Sequence, residues 1–309
     1  MPLAAKRIIF FVPPSVSIMD LTGPAHVFHG LRNYTDSLEI LYCSVVKEVV
    51  STASLSMTNF TDLKKIDPVE GDIIFIPGAD YNLMISDSFK KLMLPFNEWL
   101  NKANSNKAKI ASVCTGAFIL GDAGMLTNKI VTTHWRFVDR LQESFPFAKV
   151  NKDVLFVKDT NLYSSAGVST GIDLALFMIE EIYGIKTATE ISKELVVYIR
   201  RSADNPQESI YLQHRNHIQS DIHKVQDYVI ANLNQKMRLS ELAKIAYMSE
   251  RNFTRQFKKT IGVSVLSYIN ELRKERAVTL MNNSDLTMKK VATEVGLKSS
   301  NQLRNIINQ

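Results

Sequence analysis

Three short runs in the first 200 residues, IIFFV, DIIFIP and AKIASV, are apolar at consecutive positions, and this constrains the fold more than any other feature. A strand without polar alternation has to be covered on both faces, the condition of a parallel sheet between helical layers. Strands are predicted at 7–12, 38–46, 72–76, 109–113, 130–133, 154–157 and 162–165. Helical periodicity falls at 89–102, 115–123 and 171–183, then at Ala188, Ile191, Leu195 and Ile199. The expected architecture is an α/β sandwich, flavodoxin-like, with a mostly parallel sheet.

The pattern changes near residue 200. RRSADNPQESIYLQHRNHIQSD has weak periodicity and an Asn-Pro break at Asn205 and Pro206, so a first domain over 1–200 and a linker over 201–220 are expected. From 221 to 309 the periodicity is helical throughout, beginning with Ile222, Val225, Val229 and Leu233, and an all-α second domain is expected. Charge divides at the same place. Residues 1–200 carry 20 Lys+Arg against 21 Asp+Glu, and residues 201–309 carry 17 against 10. A neutral domain joined to a basic one suggests that the basic one meets a polyanion, most often nucleic acid.

Only two cysteines occur, Cys43 and Cys114, which excludes a disulfide scaffold and a CxxC zinc module. No apolar run approaches 18 residues, and MPLAAKRIIFFVPP leads straight into a strand without a cleavage site, so a cytoplasmic protein with no membrane partner is expected. No GxGxxG or GxxxxGK[ST] supports a nucleotide site, and no cofactor is expected. His214, His217, Asp221 and His223 are metal-ligand types, but no element aims them together, and no metal is expected.

In the basic third, LSELAKIAYMSERNFTRQFKKTIG reads as two helices with a tight turn. Ser249 is a good N-cap, Phe253 and Phe257 anchor the second helix, and Ala243 and Ala246 allow a close crossing. The outer face then presents Arg251, Asn252, Thr254, Arg255, Lys258 and Lys259. Arg suits guanine, Asn suits adenine, and Lys binds phosphate as a point charge. A weaker copy follows about 49 residues later, with Val291, Ala292 and Val295 in the first helix, Gly296 in the turn, and Leu303 and Ile307 as anchors. A connecting helix marked by Val265, Ile269, Leu272 and Leu280 has roughly 17 residues, about 25 Å.

These residues resemble the DNA-binding domain of AraC/XylS-type transcriptional regulators from about His223 to Gln309. The resemblance implies base contacts by Arg251, Thr254 and Arg255 from the first unit and by Ser300, Asn301 and Asn305 from the second, with Arg304 on the same helix. Val265 stands where the family usually has proline. The sequence ends inside the second recognition helix, so an incomplete and loosely packed second unit is expected.

In the neutral domain, AKIASVCTGAFILGDAGML is a strand running through Cys114 directly into a helix. Such a turn holds a nucleophile in strained backbone, exposed, beside a helix N-terminus that lowers a thiol's pKa. Asp20 in SIMDLTGP and His134 in IVTTHW are expected beyond strands of the same sheet, with backbone donors at Gly78, Ala79 and Thr115 for an anionic group. Cys43 reads as core.

Residues from about 6 to 200 resemble the ThiJ/PfpI domain of the class I glutamine-amidotransferase-like superfamily, through MDLTGPAHVF, VCTGAFILGDAGML, TTHW and SSAGVSTGIDLAL. That resemblance implies a pocket of Cys114, Asp20 and His134. Thr115 stands where the protease branch has histidine, which disfavours proteolysis. The two resemblances together imply a one-component regulator that binds double-stranded DNA as a homodimer formed through the first domain and senses a small molecule or redox signal. The alternative is a cysteine-dependent hydratase or hydrolase with a helical appendage.

Overall fold

The computed structural model describes residues 7–35, 38–152, 154–197, 210–283 and 286–308, together with 201, 203, 205 and 207. Ile199, Pro206 and parts of the expected linker lie outside the described residues. The chain divides into two compact units, Met1–Gln207 and Glu208–Gln309.

In the first unit, β1 (Arg7–Phe11) leads into α1 (Ile18–Leu31), then β2 (Glu39–Ser44), the short β3 (Val49–Val50), β4 (Ser56–Met57) and β5 (Thr61–Asp62), and β6 (Ile73–Ile76). Helices α2 (Tyr81–Met84) and α3 (Asp87–Ser105) precede β7 (Lys109–Val113) and α4 (Gly116–Asp122). After β8 (Ile130–Val131), α5 (Val138–Ser144) and β9 (Lys149–Val150), the hairpin of β10 (Phe156–Asp159) and β11 (Leu162–Ser165) runs into α6 (Thr170–Tyr183) and α7 (Ile185–Glu194).

The main sheet has the order β10-β11-β7-β6-β1-β2-β5. Every pairing in it is parallel except β10 with β11. Its inner strands are buried on both faces, because the crossovers between them return through helices that cover the sheet. One apolar layer lies between the sheet and α3 and α4, the other between the sheet and α1 and α6.

Of the features that differ from the sequence expectation, two bear on the site. β8 does not join the main sheet but pairs with β9 in a separate two-stranded sheet, so His134 follows a strand outside it. Helix α1 was not expected at all. Pro24 lies inside it, and it buries Asp20, Leu21, Pro24, Ala25, Val27, Phe28 and Leu31, too broad a face to read as an amphipathic stripe.

The second unit comprises α8 (Ile210–Gln213), α9 (Ser220–Ala231), α10 (Leu239–Ile245), α11 (Glu250–Ile261), α12 (Val265–Asn283), α13 (Met288–Glu294) and α14 (Ser300–Ile307). Ser249 caps α11 by accepting the Asn252 N–H at 3.4 Å, and Phe253 and Phe257 are completely buried beside Tyr268 of α12. The connecting helix has 19 residues. The expectation of loose packing in the second helical pair is corrected. Ser299 caps α14 by accepting the Gln302 N–H at 3.3 Å, and Leu303 is buried with Ala277, Val291, Ala292 and Val295. Apolar spacing alone suffices there, although the cluster is small.

Candidate functional site

Cys114 occupies the bend between β7 and α4 with φ +58°, a left-handed conformation that a non-glycine residue adopts only when its surroundings enforce it. Its N–H donates to Ser165 O at 3.0 Å, and its carbonyl accepts the Thr133 hydroxyl at 2.8 Å. The turn is tight because Gly116 lies on Ile76 O, where a β-carbon would come within 2.2 Å. On the other side Gly167, with φ +97°, faces the thiol so closely that a β-carbon would lie 2.8 Å from Sγ. Cys114 retains partial exposure, whereas Cys43 is completely buried in β2 with its thiol pushed up to about 12 by desolvation.

Asp20, in the first turn of α1, is buried beneath this bend. Its Oδ1 accepts the Val168 N–H at 2.5 Å. Val168 itself has φ +52°, so the loop is bent to aim that donor. Among the described residues Oδ2 makes no hydrogen bond; it lies over Gly78, 2.7 Å from where a β-carbon would sit, and Cys114 Cβ is 3.0 Å from the same point. Burial raises the Asp20 pKa, opposed by the Val168 N–H. Burial and then the negative charge of Asp20 push the Cys114 thiol up, opposed by Thr115. The expected lowering of this pKa by the helix N-terminus is therefore corrected, because desolvation and a carboxyl neighbour outweigh the short α4.

The other expected residues divide. Thr115 and Ala79 are joined: the Thr115 hydroxyl accepts the Ala79 N–H at 3.0 Å and donates to Ala79 O at 2.9 Å. The Ala79 N–H is thus occupied and does not serve an anion in this arrangement. His134 has other partners. Its Nδ1 accepts the Arg136 N–H at 3.3 Å, and its ring packs beside Trp135 and Phe137. Burial and the Arg136 charge hold its pKa below the usual imidazole value. Among the described residues no hydrogen bond joins His134 to Cys114 or Asp20; its neighbour Thr133 makes the contact instead. What the geometry assembles is a thiol in strained backbone over a buried carboxyl, each with its pKa raised. Thr133, Gly167 and Val168 were missed as pocket residues, although the small-residue run SSAGVST signalled a close approach of backbone.

In the second unit, Arg251, Thr254, Arg255, Lys258 and Lys259 are exposed on α11 and Asn252 is half-buried. Arg255 donates to Asn252 Oδ1 at 3.1 Å, which holds the guanidinium along the helix. The Thr254 hydroxyl donates to Glu250 O at 2.8 Å. On α14, Asn301, Arg304 and Asn305 are exposed and Ser300 is half-buried, with Arg304 donating to Asn301 Oδ1 at 3.5 Å. Each helix therefore presents a polar or basic face opposite its buried anchors. The His214, His217, Asp221 and His223 cluster forms no ligand set. His217 and His223 stack at 4.1 Å between centroids, His223 Nε2 is 2.7 Å from His217 O, and Asp221 pairs with Lys224. No group of metal-ligating side chains that could hold an ion is present among the described residues.

Comparison with known proteins bears on both units. The DJ-1/PfpI family model matches residues 6–181, and a helix-turn-helix domain model matches residues 242–309. An isonitrile hydratase of Pseudomonas putida is 29% identical over 194 residues, covering 62% of this chain and 78% of the hydratase. The HTH-type transcriptional regulator GbdR of Pseudomonas aeruginosa is 29% identical over 195 residues, covering 62% of this chain and 52% of the regulator, about half its length. The crystal structure of a ThiJ/PfpI family protein from Pseudomonas syringae superposes with a TM-score of 0.53 at 23% identity, over 79% of this chain and 89% of that one. That likeness is one of fold.

Proposed function

This chain belongs to the DJ-1/PfpI family, and on that premise we propose that it is a transcriptional regulator that binds double-stranded DNA through its second unit. The observation that carries the reading is α11, a capped helix buried on Phe253 and Phe257 whose opposite face offers Arg251, Arg255, Lys258 and Lys259. That is the arrangement a recognition helix needs, with base-reading groups next to phosphate-binding ones. The matched helix-turn-helix domain and the likeness to a regulator of the same family support it.

The first unit senses a small effector or an oxidant at Cys114 and forms the homodimer, and the protein acts in the cytoplasm without membrane partners. No helix among the described residues is long and apolar enough to cross a membrane. A regulator gains nothing from destroying its signal, and the lack of a hydrogen bond between His134 and Cys114 among the described residues supports a binding role over turnover. The rival reading, a cysteine-dependent hydratase, is favoured by the likeness to isonitrile hydratase and by the bend at Cys114.

Genome-wide mapping of bound DNA, followed by mobility shift on the recovered fragments, tests the proposal. Discrete sites lost in an Arg251→Ala/Arg255→Ala double variant are expected. Unselective binding that the double variant retains, together with hydration of an isonitrile lost in Cys114→Ser, overturns it in favour of the enzyme.

A further inference from the structure

The chain that leaves the first unit is tied to the segments that wall Cys114. Arg201 begins it. Its N–H donates to Asp173 Oδ1 at 3.2 Å, and its guanidinium donates to Asp173 Oδ2 from Nε at 3.0 Å and Nη2 at 2.5 Å. Nη2 also donates to Ser169 Oγ at 2.9 Å. Ser169 directly follows Val168, whose N–H holds Asp20 under the thiol. Asp173 is buried, and a buried carboxylate without its cation is costly, so this tie is a strong one.

Two further ties follow. Ala203 O accepts the Leu155 N–H at 2.9 Å, and Leu155 O accepts the N–H of Ala166 at 2.8 Å, the residue before Gly167. Gln207 Nε2 then donates to Thr132 Oγ1 at 3.1 Å and to Thr133 O at 3.0 Å, while the Thr133 hydroxyl donates to Cys114 O. Among the described residues Gln207 Oε1 is buried without a partner, which costs free energy and makes this the more easily released end. Gln207 is also the last residue of the first unit.

We propose that Arg201 and Gln207 couple the Cys114 pocket to the chain entering the DNA-binding unit, so that an adduct or ligand displacing the Gly167–Ser169 loop or Thr133 releases these two side chains. The inference rests on the reading of Cys114 as the sensing site. Its physical content is a shared set of hydrogen-bonding groups: the loop cannot shift without lengthening the bonds to Arg201, nor can Thr133 shift without disturbing Gln207. Coupling of this kind is reciprocal, so loosening the chain has to alter the pocket.

The test uses the full chain and hydrogen exchange read by mass spectrometry. In one sample Cys114 is alkylated with iodoacetamide, and in a second it is replaced by the longer side chain of Cys114→Met, which needs no thiol reactivity. Exchange of the Arg201 amide, which donates to Asp173, is expected to rise roughly fivefold or more in both, with the β1 amides unchanged. In the reverse direction, Gln207→Ala and Arg201→Lys are expected to change the Cys114 alkylation rate by a similar factor. Exchange within about twofold of the unmodified chain in either sample that stays folded, with alkylation of Gln207→Ala at the parent rate, overturns the proposal. Mobility shifts on the same samples separate the two readings, since a chain that binds no DNA yet shows the coupling fails as a regulator and leaves the inference standing.

Discussion

A β-carbon placed on Gly167 would lie 2.4 Å from the β-carbon of Cys114. Position 167 also has φ +97°, a conformation that costs an L side chain about 1–3 kcal/mol without any clash. Gly167→Ala should therefore destabilise the first unit by at least about 2 kcal/mol and shift the Cys114 alkylation rate. Thermal unfolding measures the first effect; a variant that melts with the parent would show that the loop rearranges freely.

Asp20 is a carboxyl whose folded pKa lies above its usual 3.8 because it is buried. Between the two values the folded chain holds a proton that the unfolded chain releases, so this group's contribution to stability is complete below pH 3.8 and is lost as pH rises through the shifted value. Asn keeps the acceptor for the Val168 N–H without the charge. Asp20→Asn should melt at a higher temperature at pH 7, lose that advantage near pH 3, and raise Cys114 reactivity by removing the carboxylate that pushes the thiol up. An identical pH profile for variant and parent would remove the carboxyl from this account.

On α11 the two classes of cation should separate. Arg251→Ala or Arg255→Ala should cost roughly 1–3 kcal/mol on the preferred sequence and relax its selectivity. Lys258→Ala and Lys259→Ala should weaken all sequences alike and each lower the slope of log affinity against log salt by about 1. Titrations at several salt concentrations decide it, and uniform losses from all four variants would mean that α11 touches only phosphates. Asn252→Ala belongs with the arginines, because it frees Arg255 from its partner.

In the second unit His217 is held neutral. Its Nδ1 accepts the Gln219 N–H at 3.2 Å, and its Nε2 lies 3.3 Å from Gln226 Oε1. Burial first, then the positive potential of His223 and Arg215, depress its pKa; Arg215 itself pairs with Asp227, and His214 faces Glu271. For a depressed group the stabilisation is intact above the unfolded pKa of 6.5 and is lost as pH falls through the folded value. Amides 214–219 should lose protection on going from pH 7 to pH 5, after correction for intrinsic exchange rates. An NMR titration midpoint for His217 at or above 6.5 would contradict this.

The strands and the recognition helices were legible because their signals are local. Doubly apolar runs mark β1, β6 and β7, and Ser249 with Phe253 and Phe257 marks α11. The pocket was half legible. Cys114 and Asp20 sit at element ends that the motifs announce, but the orientation of His134 depends on β8 leaving the main sheet, which a two-residue strand cannot signal. The sign of the thiol shift was misread because desolvation is set by residues distant in sequence, such as Gly167 and Val168. The ties of Arg201 and Gln207 left no periodic trace, since hydrogen bonds to irregular segments impose no repeat.

Helix α12, 19 residues and about 28 Å long, joins the two helical pairs, and this gives the operator a metric as well as a spelling. A rigid rod of that length matches roughly one turn of B-DNA, about 34 Å, so on the proposed reading α11 and α14 would address grooves in a fixed phase. Each base pair added between their two boxes rotates the second box by about 35° around the duplex. Five extra pairs, about half a turn, turn it to the far side, while a full turn restores the face but stretches the gap beyond the rod. Operators for this protein should therefore vary in sequence far more readily than in spacing.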